Sequence, residues 1–157
     1  MRIEVDGWFA GITFSAAHFI PSHEKCGRLH GHVYAIHAII EGDIGEDGMV
    51  VDFLSVKKIL RQLAEEMDHR VLVPTGGPAV EVSADDENLQ VCAGEKRYSF
   101  PRDDVVLLDI TVPSAEELAA YCLKRFLKLA KLPKSVKRVE IGVDESRGQG
   151  AWAVKKL

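Results

Sequence analysis

Hydrophobic and polar positions follow two different periods along this chain. Residues 2–17 read as extended. Ile3 and Val5, then Phe9, Ile12 and Phe14, fall on an uneven alternation, with Gly7 and Gly11 placed where a bulge or turn would interrupt it. Residues 19–29 are polar and carry Pro21, Ser22 and Gly27, so they read as a loop. Residues 30–41, His-Gly-His-Val-Tyr-Ala-Ile-His-Ala-Ile-Ile-Glu, are rich in β-branched and aromatic side chains and predict a strand. A turn segment runs from Gly42 to Gly48.

Beyond Asp52 the period changes. Val56, Ile59, Leu60, Leu63 and Met67 recur at spacings of three and four, the stripe of an amphipathic helix with Asp52 as its N-cap. A second helix opens at Ser114, with Glu117 three residues later in the capping-box pattern. Leu118, Cys122, Phe126 and Leu129 share one of its faces, and Pro133 marks its end. Between the helices lie short strand-like runs at Ala79–Val82, Leu89–Ala93, Tyr98–Phe100 and Val105–Ile110, and residues 136–144 predict a last strand. Hairpin-linked strands with only two helices favour an α+β fold built on an antiparallel sheet. With no internal repeat and 157 residues, one domain over 1–157 is expected.

Composition narrows the function classes. The chain is 46% hydrophobic and 28% charged, which suits a globular domain. No apolar run approaches the roughly 18 residues of a membrane span, and the charged and apolar residues alternating from Met1 to Asp6 leave no room for a secretory h-region. Twenty basic against 24 acidic residues give a net charge of −4, which argues against a dedicated nucleic-acid binder but not against a small anionic ligand. Cys26, Cys92 and Cys122 are too few and too scattered for a disulfide framework. A reducing cytoplasm is the expected location.

Four of the six histidines, His18, His23, His30 and His32, fall within a short stretch. His30 and His32 are i and i+2 on the predicted strand, so both imidazoles point to one face. Two nitrogens on one face are half of a tetrahedral zinc site. His18, at the end of the preceding strand, can supply a third, with His23 in the loop as the other candidate. Three protein ligands leave a position open, as in a catalytic zinc centre. Gly31 between the ligands lets another chain segment approach. His37 has the opposite parity and is expected to be an ordinary packed or surface histidine. Cys26 lies four residues before His30 in polar, glycine-bearing surroundings, where a thiol near a cation can act as base or nucleophile. Cys92 and Cys122 read as small buried hydrophobes. Asp68-His69 closes the first helix and has the form of a carboxylate-oriented imidazole, although a helix C-terminus also favours His for its dipole.

Taken in order, Phe14-Ser15-Ala16-Ala17-His18, Cys26-Gly27-Arg28-Leu29-His30-Gly31-His32, Gly48-Met49-Val50-Val51-Asp52-Phe53, Met67-Asp68-His69, Pro113-Ser114-Ala115-Glu116-Glu117-Leu118-Ala119 and Glu145-Ser146 resemble the 6-pyruvoyltetrahydropterin synthase and 6-carboxytetrahydropterin synthase family. The likeness covers residues 8–75 and 108–153. It implies a tunnelling fold, an antiparallel sheet with two helices packed on one face, assembled as trimers that pair into a homohexamer. An inserted β-rich segment at about 76–107 is an addition to it, with Lys96, Arg97 and Arg102 expected near its tip as either a solvated edge or a clamp on phosphates. The resemblance further implies zinc on His18, His30 and His32, a cysteine base at Cys26, a proton-relay pair at Asp68 and His69, and a pterin-anchoring carboxylate at Glu145. Glu116 and Ser114 fall on the wall of the same pocket, Glu116 being equally well explained as a first-turn helix acid. One motif departs from the family's: Leu72 is followed by Val73 where Asn is common.

The activity so implied is that of a zinc-dependent lyase acting on 7,8-dihydroneopterin triphosphate, with sites between subunits. The short Cys26-x-x-x-His30 spacing is similar to the branch that forms 6-carboxy-5,6,7,8-tetrahydropterin, with acetaldehyde and triphosphate release, for 7-deazaguanine (queuosine-type) biosynthesis. Two alternatives stand beside it: the pyruvoyl-forming triphosphate elimination, and a zinc-stabilised pterin-binding protein without turnover.

Overall fold

A computed structural model describes every residue except Ser22 and Asp86. The strands are β1 (Arg2–Val5), β2 (Thr13–His18), β3 (His30–Gly42), β4 (Arg70–Pro74), β5 (Glu81–Ala84), β6 (Asn88–Ala93), β7 (Lys96–Pro101), β8 (Val105–Leu108), β9 (Val136–Glu145) and β10 (Gly150–Lys156). The helices are α1 (Phe53–Met67) and α2 (Ala115–Leu129), with a single 3₁₀ turn at Arg102–Asp104.

The main sheet runs β10-β9-β3-β2-β4-β8, and β1 lies beside the far end of β3. Both helices pack on one face, as expected for this α+β architecture. Side-chain parity fixes that face. On β3 the even-numbered Tyr34, Ile36, Ala38 and Ile40 enter the core; on β9 the odd-numbered Val139, Ile141 and Val143 do so. They meet Val56, Leu60, Leu63 and Met67 of α1 and Leu118, Cys122 and Phe126 of α2. Each such large side chain contributes about 1.5–3 kcal/mol on leaving water. Leu129, placed on this face by its spacing, stays partly exposed at the last turn of α2.

The helix ends follow the sequence closely. Asp52 accepts from the Leu54 and Ser55 amides at 2.9 and 3.2 Å. Ser114 accepts from the Glu117 amide at 3.4 Å, but the Glu117 carboxylate turns instead to the Thr111 hydroxyl, so the capping box is only half made. Helix α1 ends at Asp68, and His69 follows with φ +55°, the left-handed position that glycine usually takes after a helix.

Three features differ from the sequence reading. The sheet is mixed: β1–β3, β2–β3, β3–β9 and β9–β10 are antiparallel, whereas β4 runs parallel to β2 and β8 parallel to β4. Parallel neighbours need a long crossover, and the inserted segment is that crossover between β4 and β8. The insert therefore ends before Val105, since β8 belongs to the main sheet. Finally, β10 was not anticipated; its Ala151, Ala153 and exposed Trp152 and Val154 make a weak alternation at a sheet edge.

The insert forms its own antiparallel sheet, β5-β6-β7. It closes over a second, smaller core of Phe19, Val73, Val80, Leu89, Val91, Ala93 and Val105, with Tyr98 and Phe100 against it. Val73 is fully buried there, so the departure from the family motif after Leu72 places an apolar side chain under the insert. Arg102 sits at the far end of the hairpin from the β6–β7 turn, not near the tip.

Candidate metal and pterin site

The row of core-facing side chains on β3 does not stop at Tyr34. It continues to His32 and His30 at the open end of the sheet, beyond the cover of the helices. His18 closes β2 directly opposite His30, and Glu145 closes β9 opposite Tyr34. The strand pairing thus converts sequence parity into a cluster. His18, His30 and His32 each present one ring nitrogen, all within 4.8 Å of one another. Gly31 between them lies against β2, where an added Cβ would stand 3.0 Å from the Ala16 carbonyl.

Two rings are oriented by backbone. His18 Nδ1 lies 2.7 Å from the Pro113 carbonyl and His30 Nδ1 lies 2.6 Å from the Arg28 carbonyl. A carbonyl only accepts, so each Nδ1 carries the proton and each Nε2 turns a lone pair inward. Those two Nε2 atoms are 3.1 Å apart. His32 Nε2 is buried without a hydrogen-bond partner. Two acceptors and a third, unpartnered ring nitrogen facing one another fit a divalent cation held by imidazoles. Burial holds His18 well below its ordinary value, at about 4; the Pro113 carbonyl opposes this, and the His30 and His32 rings reinforce it. His18 therefore stays neutral and ligand-ready at any physiological pH.

Glu145 Oε1 approaches the same centre, 3.4 Å from His18 Nε2 and 3.8 Å from His32 Nε2. A cavity of about 280 Å³ opens beside the cluster, lined by His18, His30, Cys26, Ser114, Glu116 and Glu145. The structure therefore brings together seven of the nine residues singled out in the sequence, counting His32 through its ring nitrogen. Cys26 reaches the wall because its loop is tight: the Ile20 amide donates to the Cys26 carbonyl at 2.8 Å, and Gly27 packs where a Cβ would lie 2.3 Å from the His23 carbonyl. His23 is not a ligand; its Nδ1 accepts from the Cys26 amide at 3.0 Å and shapes the loop.

Asp68 and His69 are not in this cavity. Their own pairing is made, with His69 Nδ1 2.8 Å from Asp68 Oδ2 and the Ser15 amide donating to Asp68 Oδ1 at 2.7 Å. Burial raises the Asp68 pKa, but the Ser15 amide and His69 outweigh it and leave the carboxyl below its usual value. The His69 side chain is 82% exposed and stands over a broad groove of about 640 Å³ that His32 and Arg70 also border. The His32 ring thus lies at the boundary of the two openings.

His37 faces the other side of the sheet, as its parity requires, accepting from the Gly7 amide at 3.1 Å and lying 3.3 Å from Asp144. Cys122 is fully buried in the main core, where burial pushes its thiol up to about 12. The insert's cations are spent on backbone carbonyls: Arg97 on Gly94 and Lys96, Arg102 on Asp85, and Lys96 on Gly27. That arrangement speaks against a phosphate clamp at its tip. Tyr34 was missed in the sequence. It packs edge-on to His18 and His32 with ring centroids 6.0 and 5.8 Å away, stacks on Phe14, and has a buried hydroxyl without a partner. Its position two residues after His32 was the available signal.

A helix-covered sheet thus ends in three convergent imidazoles that could hold a metal ion, beside a cavity lined by a carboxylate and a thiol. Residues 10–156 match the model of the family described as 6-pyruvoyl tetrahydropterin synthase, and the chain belongs to that family. A Methanocaldococcus jannaschii protein named as a 6-carboxy-5,6,7,8-tetrahydropterin synthase is 35% identical over 160 residues, spanning 100% of this chain and 98% of that one. The crystal structure of Plasmodium vivax 6-pyruvoyltetrahydropterin synthase superposes with a TM-score of 0.91 at 29% identity, covering 100% of this chain and 98% of its own. A dihydroneopterin monophosphate aldolase of Pyrococcus furiosus is 40% identical over 60 residues, 38% of this chain and 51% of that one. No helix among the described residues is long and apolar enough to cross a membrane.

Proposed function

We propose that the protein is a zinc-dependent lyase that converts 7,8-dihydroneopterin triphosphate and one water to 6-carboxy-5,6,7,8-tetrahydropterin, releasing acetaldehyde and triphosphate. The observation that carries this reading is the convergence of His18, His30 and His32 at one cavity that Cys26 and Glu145 also line. Zinc on these imidazoles would supply Lewis acidity to a substrate side-chain hydroxyl, making the adjacent C–H easier to ionise.

The chain's own groups supply the rest. Cys26, as thiolate, takes the side-chain proton. Glu145 accepts two N–H groups of the pterin edge in a charge-assisted, bidentate contact, with Ser114 and Glu116 on the pocket wall. Asp68 holds His69 in the tautomer with Nδ1 protonated, so that Nε2 can take a proton from a substrate hydroxyl and later return it. Because His69 stands outside its own chain's cavity, the relay pair is assigned to the neighbouring subunit of a homohexamer made from two trimers. The proposed setting is the cytoplasm and 7-deazaguanine biosynthesis.

Incubating the zinc-loaded protein with 7,8-dihydroneopterin triphosphate and assaying for acetaldehyde tests the reaction. The Cys26→Ala variant is expected to keep its zinc and lose at least about 100-fold in kcat; unchanged turnover would remove Cys26 from the role of base. Pyruvoyl-forming elimination, supported by the Plasmodium relative, yields triphosphate without acetaldehyde. Retro-aldol cleavage, supported by the Pyrococcus relative, yields a glycolaldehyde derivative. Binding of the pterin with no product of any kind would leave a zinc-stabilised binding protein.

A further inference from the structure

The loop that carries Cys26 has little apolar surface of its own. Its residues from Ile20 to Leu29 include Pro21, His23, Glu24, Lys25 and Arg28, and His23, Glu24, Lys25, Arg28 and Leu29 are exposed. A polar loop of this kind opens easily unless something outside it holds it. Among the described residues, two contacts from the inserted sheet do so. At the front, Phe19 is fully buried in the second core and stacks on Tyr98 of β7, with centroids 5.2 Å apart and planes at 22°. At the back, the Lys96 ammonium at the start of β7 donates to the Gly27 carbonyl. The Ile20–Cys26 backbone hydrogen bond joins the residues just inside these two anchors.

We propose that the β5–β7 sheet is a brace for the catalytic loop, and that Lys96 and Tyr98 are positioning residues that hold the Cys26 thiol at the edge of the metal centre. This deepens the reading of Cys26 as the base and rests on it. It also gives the insert a role, whereas its cations, bonded to backbone carbonyls, do not form a phosphate clamp. Tyr98 fixes where the loop leaves β2 beside His18. Lys96 fixes the Gly27–Arg28 peptide, one residue beyond Cys26. Loss of either anchor leaves the three histidines on β2 and β3, with His18 still oriented by the Pro113 carbonyl; the Arg28 carbonyl that orients His30 belongs to the loop itself.

The test uses the zinc-loaded full chain with Lys96→Met, Lys96→Arg and Tyr98→Ala substitutions. The rate of Cys26 alkylation by iodoacetamide is followed by mass spectrometry of the Cys26 peptide. Lys96→Met is expected to raise that rate about three- to tenfold, the size expected for losing one hydrogen bond from an exposed lysine. Zinc content and thermal midpoint stay those of the parent, and Lys96→Arg restores the parent rate. Turnover of dihydroneopterin triphosphate should fall in kcat with KM unchanged. Parent-like alkylation in both Lys96→Met and Tyr98→Ala would overturn the brace. So would zinc loss in Lys96→Met. If the parent protein turns over no pterin, the proposed reaction fails while the alkylation rates still decide the brace.

Discussion

The molecule carries two histidine sites built in opposite ways. The His18–His30–His32 cluster is enclosed: His18 is 1% exposed, two rings are tied to backbone carbonyls, and regular strand pairing sets every side-chain direction. The Asp68–His69 pair is open: its imidazole is 82% exposed, and its backbone is held at φ +55°. The first site is complete within one chain. The second is a group presented outward in a strained conformation, and strain held without local reward collects at functional positions. The difference divides the candidate site into two halves: a cluster whose members all come from one chain, and a pair that the chain turns outward. The substitutions that follow separate the two halves.

The largest effect is expected at the enclosed site. His30→Ala removes one of three imidazoles, so metal affinity should fall by more than the roughly 10–100-fold that losing a mere orienting partner costs. His69→Ala should leave metal content unchanged. Metal analysis after dialysis against a weak chelator distinguishes them. Equal loss from both variants would erase the distinction between the sites.

Acid should act on the same contrast. Burial lowers His18 to about 4 in the metal-free chain, against an ordinary value of 6.5. Above pH 6.5 both folded and unfolded forms are neutral at this residue. Between 6.5 and about 4 the unfolded chain binds a proton that the folded chain refuses, so stability falls as the pH drops, and this group's share of it is fully lost below that window. The shift corresponds to about 3 kcal/mol for this one group. Denaturant titrations of metal-free protein at pH 7 and pH 4.5 should show the loss, and His18→Gln should lack that portion of it. An identical pH slope in His18→Gln would mean that the burial of His18 has no such effect.

Much of the enclosed site was legible in the sequence because its determinants are local. Period-two parity put His30 and His32 on one face, and the same parity turned His37 away. The helix caps at Asp52 and Ser114 were likewise written in residue type. What could not be read depended on pairing over distance. Nothing between His30 and Pro74 says that β4 returns beside β2 in parallel, and that pairing is what carries Asp68 and His69 to the groove side of His32. Phe19 fell in a stretch that reads as a polar loop and Val73 stood out only against the family motif, because what buries both is the insert, distant in sequence. Pro113 and Arg28 act through backbone carbonyls, for which side-chain chemistry gives no signal.

The smallest expected effect is the most pointed. A non-glycine residue in the left-handed region after a helix costs about 1–2 kcal/mol. His69→Gly recovers that, loses about 0.5–1 kcal/mol to the freer unfolded backbone, and gives up an exposed ion pair worth about 0–1 kcal/mol. These offset one another, so the stability of His69→Gly should lie within about 1 kcal/mol of the parent by denaturant unfolding. A residue that mattered for the fold would instead cost more than about 2 kcal/mol when replaced. If stability is kept while turnover is lost, the imidazole is there for a facing surface. If the variant unfolds readily, His69 belongs to the architecture of the α1–β4 turn, and the open site loses its claim to chemistry.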